Sequence, residues 1–145
     1  MDWIVRLAEA KDATAIWQLN RDVFGYEYPL ESTKARVEAI LGGTTNRLWV
    51  ACLPEGRVVG YANACNYENT YSGSMKDLLA IAVEQGLQGG GVGSALLHAV
   101  EDWARADGCE AVRLVSGLNR ESAHGFYLHQ GYTLRKVQKN FIKAL

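Results

Sequence analysis

Five of the eight residues from position 86 to position 93 are glycine, and a helical pattern follows at once. Glycine loses more conformational freedom on folding than any other residue, so such a run is costly unless the backbone bends sharply or a ligand approaches it closely. The run lies between a strand-like stretch at 75–83 and a helix start, whose first amide N–H groups lack intrahelical partners and favour an anion. The pattern predicts a phosphate-binding loop, with a tight turn that binds nothing as the alternative.

Two common phosphate motifs do not describe this loop. A Walker loop ends in Gly-Lys-Ser/Thr, whereas residues 93–95 read Gly-Ser-Ala. A dinucleotide fingerprint needs a third glycine where Leu96 stands, and an acid at the end of the next strand, whereas Glu110 precedes that strand. The pattern that remains is Q-x-x-G-x-G at 88–93.

A second motif follows about thirty residues later, where residues 119–132 read NRESAHGFYLHQGY. Together the two motifs resemble those of the GCN5-related N-acetyltransferase (GNAT) superfamily, whose pyrophosphate loop is Q/R-x-x-G-x-G/A and whose second signature is N-x-x-A-x-x-F-Y-x-x-x-G-F/Y. The stretch LLAIAV before the glycines is similar to the family's cofactor strand. The residues that match the second signature are Asn119, Ala123, Phe126, Tyr127, Gly131 and Tyr132.

The resemblance implies acetyl-CoA as the cofactor. Backbone amides from Gly89 to Ser94 would hold its pyrophosphate, Gln88 would shape the loop, and the pantetheine arm would run along the strand at 81–83. That strand would also point an N–H at the thioester carbonyl. The implied cofactor-binding residues are Ile81, Ala82, Val83, Gln88, Gly89, Gly90, Gly91, Gly93, Ser94, Asn119, Ser122, Ala123 and Tyr127.

The implied reaction is acetyl transfer to a primary amine, which is almost entirely protonated at pH 7 because the pKa of such an amine is about 10.4. In the family a tyrosine of the second signature serves as general acid, and Tyr127 matches it. Phe126, its neighbour, is expected in the core. The general base is open among Asp77, which matches an acidic position of some relatives, Glu68 and a chain of waters.

In the family the acceptor is recognised mainly by the first two helices, by their connection and by the segment between strands three and four. Aromatic and acidic side chains there favour a cationic amine, with ordinary polar loops as the alternative. These residues are Tyr26, Glu27, Tyr28, Glu31, Tyr67, Glu68 and Tyr71. The predicted function is acetylation of a small-molecule amine; the alternatives are a protein N-terminal or lysine acetyltransferase, or an acyl-CoA-binding sensor without transferase activity.

Hydrophobic periodicity predicts one mixed α/β domain over 1–145 that positions these residues, in the order β-α-α-β-β-β-α-β-α-β. Asn119 is expected to cap the last helix, and the alternating tail from Thr133 to Ala144 to form the last strand, which would pair across a dimer if the protein is not a monomer. The predicted elements are strand 3–10, helices 11–24 and 30–41, strands 47–53, 57–67 and 75–83, a helix from the glycines to Gly108, strand 110–117 and helix 119–132.

Composition narrows the partners and the compartment. The net charge is −1 and no basic cluster stands out, so neither nucleic acid nor a membrane surface is an expected partner. No apolar run approaches the roughly 20 residues of a membrane span. Three cysteines without CxxC spacing indicate free thiols and a reducing, cytoplasmic setting. No metal is expected, since His124 and His129 lie five residues apart.

Overall fold

The computed structural model describes residues 2–145 as two compact units, of which the first extends to Val115 and the second comprises Ser116–Leu145. The first unit contains β1 (Ile4–Leu7), a 3-10 turn (Ala10–Asp12), α1 (Ala13–Leu19) with a π-helical turn (Asn20–Phe24), α2 (Leu30–Leu41), β2 (Asn46–Cys52), β3 (Val58–Tyr67), β4 (Met75–Val83), α3 (Val92–Ala106) and β5 (Ala111–Leu114). The second unit contains α4 (Glu121–His129). The predicted mixed α/β class is confirmed.

The five strands form one sheet in chain order. β1 to β4 pair antiparallel, as expected for strands joined by hairpins, whereas β4 and β5 pair in parallel. A parallel pair needs a crossover connection, and α3 supplies it. The parallel ladder is short: it joins residues 75–78 of β4 to residues 111–114 of β5, and β4 continues to Val83 beyond it.

Helices of the first unit cover the sheet with apolar side chains. Ile16 and Leu19 of α1 and Val37 of α2 are buried with Val50 of the sheet. Residues Leu96, Leu97 and Val100 of α3 are completely buried, as the helical spacing predicts. A Cβ added at Gly60 of β3 would lie 3.1 Å from both Leu96 Cδ1 and Val92 Cγ1, so a glycine lets α3 pack closely on that strand.

A buried ion pair fixes the start of the first helical segment. The Arg6 guanidinium donates to both carboxylate oxygens of Asp12, at 2.8 and 3.0 Å, and the Glu9 amide donates to the same carboxylate at 2.8 Å. Burial works against the charge of Asp12, but these hydrogen bonds lower its pKa below the usual range. The charged carboxylate therefore ties β1 to the entry of α1.

A second buried charge joins β4 to the end of α3. Lys76 is 2% exposed, and its Nζ lies 2.6 Å from both the Asp107 carboxylate and the Asn66 side-chain oxygen. The same ammonium lies 3.7 Å from the centre of the Trp103 ring. Because every side of this cation has a partner, Lys76 is a structural residue.

The second unit corrects two predictions. Its helix begins at Glu121, and the position that precedes it is Arg120, with no side-chain capping bond, so Asn119 is not the cap. The predicted strand in the tail from Thr133 to Ala144 is wrong, because an alternating stretch needs a neighbouring strand to complete its hydrogen bonds and the described residues supply none. No helix described in residues 2–145 is both long and apolar enough to cross a bilayer.

Candidate active site

The loop between β4 and α3, residues 84–91 and hereafter the glycine loop, has the backbone of an anion site. Gly86, Gly89 and Gly91 adopt φ angles of +90°, +83° and +95°, a region that other residues rarely adopt. Gly91 is the N-cap of α3, so the unpartnered amides of the first helical turn follow it directly. A Cβ added at Gly86 or Gly89 would meet nothing within 4 Å, which leaves the backbone open to a ligand.

Two side chains hold the glycine loop in this shape. The Gln88 side-chain amide donates to the Val83 carbonyl at 3.2 Å and so folds the loop back on the end of β4. On the other side, a Cβ added at Gly91 would lie 3.3 Å from the Trp3 ring. The sequence 84–94 contains no lysine or arginine, and the one acid in it, Glu84, pairs with Arg57. Backbone amides are therefore the donors that this loop offers to a phosphate.

The strand that leads into the glycine loop has a bulge and an open edge. The β3–β4 register steps from Asn63↔Ala80 to Ala64↔Leu78, so Leu79 is the extra residue of a β-bulge. On the other side of β4 the pairing with β5 ends at Leu78↔Leu114, and we call this end point the fork. Beyond the fork, β4 residues 79–83 have no strand partner on that side among the described residues.

Asp77, the predicted base, lies one residue before the fork and is engaged by a cation. Arg113 Nη1 of β5 lies 3.0 Å from the Asp77 carboxylate, and the two side chains are 18% and 19% exposed. Burial raises the pKa of Asp77 above its usual range, and Arg113 offsets part of that rise. Glu68, the weaker candidate, is exposed and accepts a hydrogen bond from Ser74 Oγ at 3.0 Å. Asp77 is thus the more enclosed of the two carboxylates.

In the second unit, α4 holds the second motif. Tyr127 is half-buried, and burial raises the pKa of its phenol above its usual range. An ordinary tyrosine, with a pKa of about 10, is already protonated at neutral pH, so burial extends the protonated form to more alkaline pH. Its ring centre lies 5.3 Å from that of Phe126 and 6.0 Å from that of Tyr132. Ser122 and Asn119 are exposed and Ala123 is half-buried. A protonated phenol has the chemistry of a general acid.

The residues predicted to recognise the acceptor fall into two groups. Tyr26 packs against Phe24, the last residue of the π-helical turn, and Asn20 of that turn accepts a hydrogen bond from Tyr61 of β3. Glu68 follows the end of that strand, seven residues after Tyr61. An extended strand advances about 3.3 Å per residue, so most of the length of β3 separates the two groups. Tyr28 and Glu27 belong to the Tyr26 group and are exposed. The structure therefore does not bring all these residues together at one acceptor-binding surface.

Sequence reasoning missed three contributors to the site. The Leu79 bulge leaves no mark in an apolar strand, and no pattern links Trp3 to the glycine loop. Arg113 had a signal, since it is the one charged residue in the apolar stretch 111–115, and such a charge in a strand needs a partner.

Comparison with known proteins gives the site a chemical context. Residues 13–132 match the Acetyltransferase (GNAT) family. The chain is 31% identical over 133 residues to an aminoglycoside N(6')-acetyltransferase type 1 of Stenotrophomonas maltophilia, covering 88% of this chain and 84% of that protein. It is 27% identical over 148 residues to the protein of the same name from Klebsiella aerogenes, covering 98% and 97%.

A solved structure has the same fold. The aminoglycoside acetyltransferase AAC(6')-Iy, in complex with a bisubstrate analogue that contains CoA, superposes with a TM-score of 0.87 over the whole of both chains, at 19% identity.

Proposed function

Because this chain belongs to the Acetyltransferase (GNAT) family, we propose that it transfers the acetyl group of acetyl-CoA to a primary amine on a small, cationic molecule. Membership establishes the coarser statement that the protein is an acyltransferase that uses acetyl-CoA. The acceptor class is the proposed part. The observation that carries it is the likeness to two aminoglycoside acetyltransferases over at least 88% of the chain.

The cofactor supplies an activated acetyl thioester, and the residues that we assign to it offer mostly backbone groups. Amides of the glycine loop and of the first turn of α3, from Gly89 to Ser94, bind the pyrophosphate. The open edge of β4 at 81–83 supplies main-chain partners for the pantetheine arm. The bulge leaves the Leu79 backbone outside the β3 ladder, which makes it a candidate donor to the thioester oxygen as charge develops there. From the second unit we assign Asn119, Ser122 and Ala123 to the same cofactor.

Two side chains move protons in this proposal. Asp77 takes a proton from the acceptor ammonium, directly or through water, and so frees the nitrogen lone pair that attacks the acetyl carbon. Tyr127 donates its phenolic proton to the sulfur as the carbon–sulfur bond breaks, and the tyrosinate then recovers a proton from the nitrogen, directly or through water. Such positioned groups typically contribute a factor of about 10²–10⁴ each in rate.

Acidic and aromatic residues at the surface support a cationic acceptor. We assign recognition first to Tyr26, Glu27 and Tyr28, which are exposed beside the π-helical turn. Glu31 and Glu68 are weaker candidates because Lys34 pairs with the first and Ser74 bonds to the second. The three free cysteines fit the proposed cytoplasmic setting.

A panel of amines tests the proposal. Purified protein with saturating acetyl-CoA is assayed for free thiol in the presence of an aminoglycoside, a polyamine, an aminoalkylphosphonate, a neutral sugar amine, or a lysine or N-terminal peptide. We expect kcat/KM for at least one small polycationic amine to exceed that for every peptide and neutral amine by tenfold or more. Preference for a peptide would overturn the acceptor class, and no turnover with any amine would favour a binding protein.

A further inference from the structure

Three neighbouring strands place four polar side chains on one face of the sheet just before the fork. Asp77 of β4 lies directly opposite Cys65 of β3 and Arg113 of β5, and residues opposite one another on adjacent strands point to the same face. Tyr67 follows Cys65 by two residues and therefore shares that face. The four side chains form a cluster. The implied role of Asp77 as a general base does not by itself explain why the other three lie beside it.

The guanidinium of Arg113 is held at two of its sides. Nη1 pairs with Asp77 at 3.0 Å, and Cζ lies 4.4 Å from the centre of the Tyr67 ring. Nε is buried and has no hydrogen-bond partner among the described residues. The arginine thus forms an ion pair with the carboxylate and a cation–π contact with the ring, while one of its buried N–H groups lacks a hydrogen bond.

We propose that Arg113 is a positioning residue for deprotonation of the acceptor, because its charge keeps the Asp77 carboxylate ionised at the fork. The inference rests on the proposed role of Asp77 as base. Asp77 has less than a fifth of its side chain exposed; burial favours the protonated form of a carboxyl group and a nearby cation favours the charged form. A protonated carboxyl group cannot accept the proton of an ammonium. Arginine suits this role, since it does not itself release a proton at any working pH.

The other charged and titratable groups around Asp77 do not replace Arg113. On the same face, Cys65 carries a thiol whose pKa is raised by burial and by the nearby Asp77 charge, so it stays neutral. Tyr67 contributes its ring to Arg113. Lys76, the next residue on β4, belongs to the opposite face, where Asp107 and Asn66 engage it. Arg113 is the cation that the described residues place against Asp77.

The test is the acid limb of the pH profile of kcat/KM, measured with the best amine of the panel. R113Q and R113M both remove the charge of Arg113. R113Q keeps a polar end and R113M keeps an apolar side chain over Tyr67, and the pH profile is measured in each variant that folds. We expect the acid limb of the kcat/KM profile to move to higher pH by about 1–3 units, the usual effect on an aspartate of removing a neighbouring cation. R113K restores the charge and should return the limb toward that of the wild type.

Two further measurements separate the possible failures. The dissociation constant for acetyl-CoA should stay within about twofold of wild type in each variant, which a general loss of structure would not allow. An acid limb that stays in place in R113Q or R113M overturns the inference. D77N tests the underlying proposal: if it keeps wild-type kcat/KM and the same limb, Asp77 is not the base, whereas loss of activity in D77N with an unmoved limb in R113Q rejects the role of Arg113 alone.

Discussion

The cofactor side and the acceptor side of this acyltransferase are built in different ways. The residues that we propose for the cofactor in the first unit form one continuous stretch, β4, the glycine loop and the start of α3, and they offer mainly backbone groups. The residues that we propose for the acceptor come from separate segments, among them the residues after α1 and those around the fork, and their proposed roles depend on side chains such as Asp77 and Arg113. We therefore expect that added side chains impair a site built from backbone groups, whereas the loss of a charge impairs a site built from side chains.

The largest effect is expected at Tyr127, the proposed general acid. Replacement of Tyr127 by phenylalanine should lower kcat by about 10²–10⁴ and change the acetyl-CoA dissociation constant little, because the ring remains and only the hydroxyl group is lost. Because burial raises the pKa of the Tyr127 phenol, wild-type activity should not fall until the pH exceeds the pKa of an ordinary tyrosine. The matched control is Tyr132→Phe, which removes a phenol from the same unit and should retain activity. Full turnover in Y127F would assign the proton to another donor.

A substitution in the glycine loop tests whether the cofactor side depends on its backbone. Gly91→Val places a branched side chain at a φ of +95° and 3.3 Å or less from Trp3, so the loop must change shape. We expect the acetyl-CoA dissociation constant to rise tenfold or more in a titration calorimeter. Gly43→Ala, at a glycine without a positive φ and with neighbours no nearer than 3.7 Å, should leave it unchanged. Equal affinity in G91V would mean that the phosphates bind elsewhere.

The same contrast explains what the sequence made predictable. The boundaries of α2 and β4 were predicted to the residue, because periodicity and glycines act locally. The Asp77–Arg113 pair joins positions 36 residues apart, and only the parallel register brings them together. The bulge at Leu79 was likewise hidden, since a register step is a property of two strands and not of one.

A stability measurement tests the ion pair that ties β1 to the entry of α1. Asp12→Asn leaves the partly buried Arg6 without its carboxylate, so we expect the free energy of unfolding to fall by about 2–3 kcal/mol at pH 7. Because the pKa of Asp12 is lowered in the folded protein, the stabilisation is present above the unfolded pKa of about 3.9 and is lost as the pH falls through the folded value. The gap between the two proteins should therefore close on acidification.

Asp102→Asn is the control for that measurement, because Asp102 forms an exposed pair with Arg105 and its loss should change the free energy of unfolding by at most about 0.5 kcal/mol. Denaturant titration at several pH values measures both variants. A pH-independent deficit in D12N would point to lost packing in place of a lost charge.

The smallest effect is expected where an acceptor charge would be recognised at the surface. Glu27→Gln should raise KM for a cationic amine by about two- to fivefold with kcat unchanged, because an exposed ion pair contributes at most about 1 kcal/mol. The effect should disappear near 1 M salt, where the screening length falls to about 3 Å. Glu68→Gln should have less effect, since Ser74 already bonds to that carboxylate and most of β3 separates it from Tyr26. Glu55→Gln, exposed in the turn between β2 and β3, is the control. If E68Q raised KM more than E27Q, the acceptor would lie nearer the far end of β3, and recognition would pass from the helical connection to the β3–β4 hairpin.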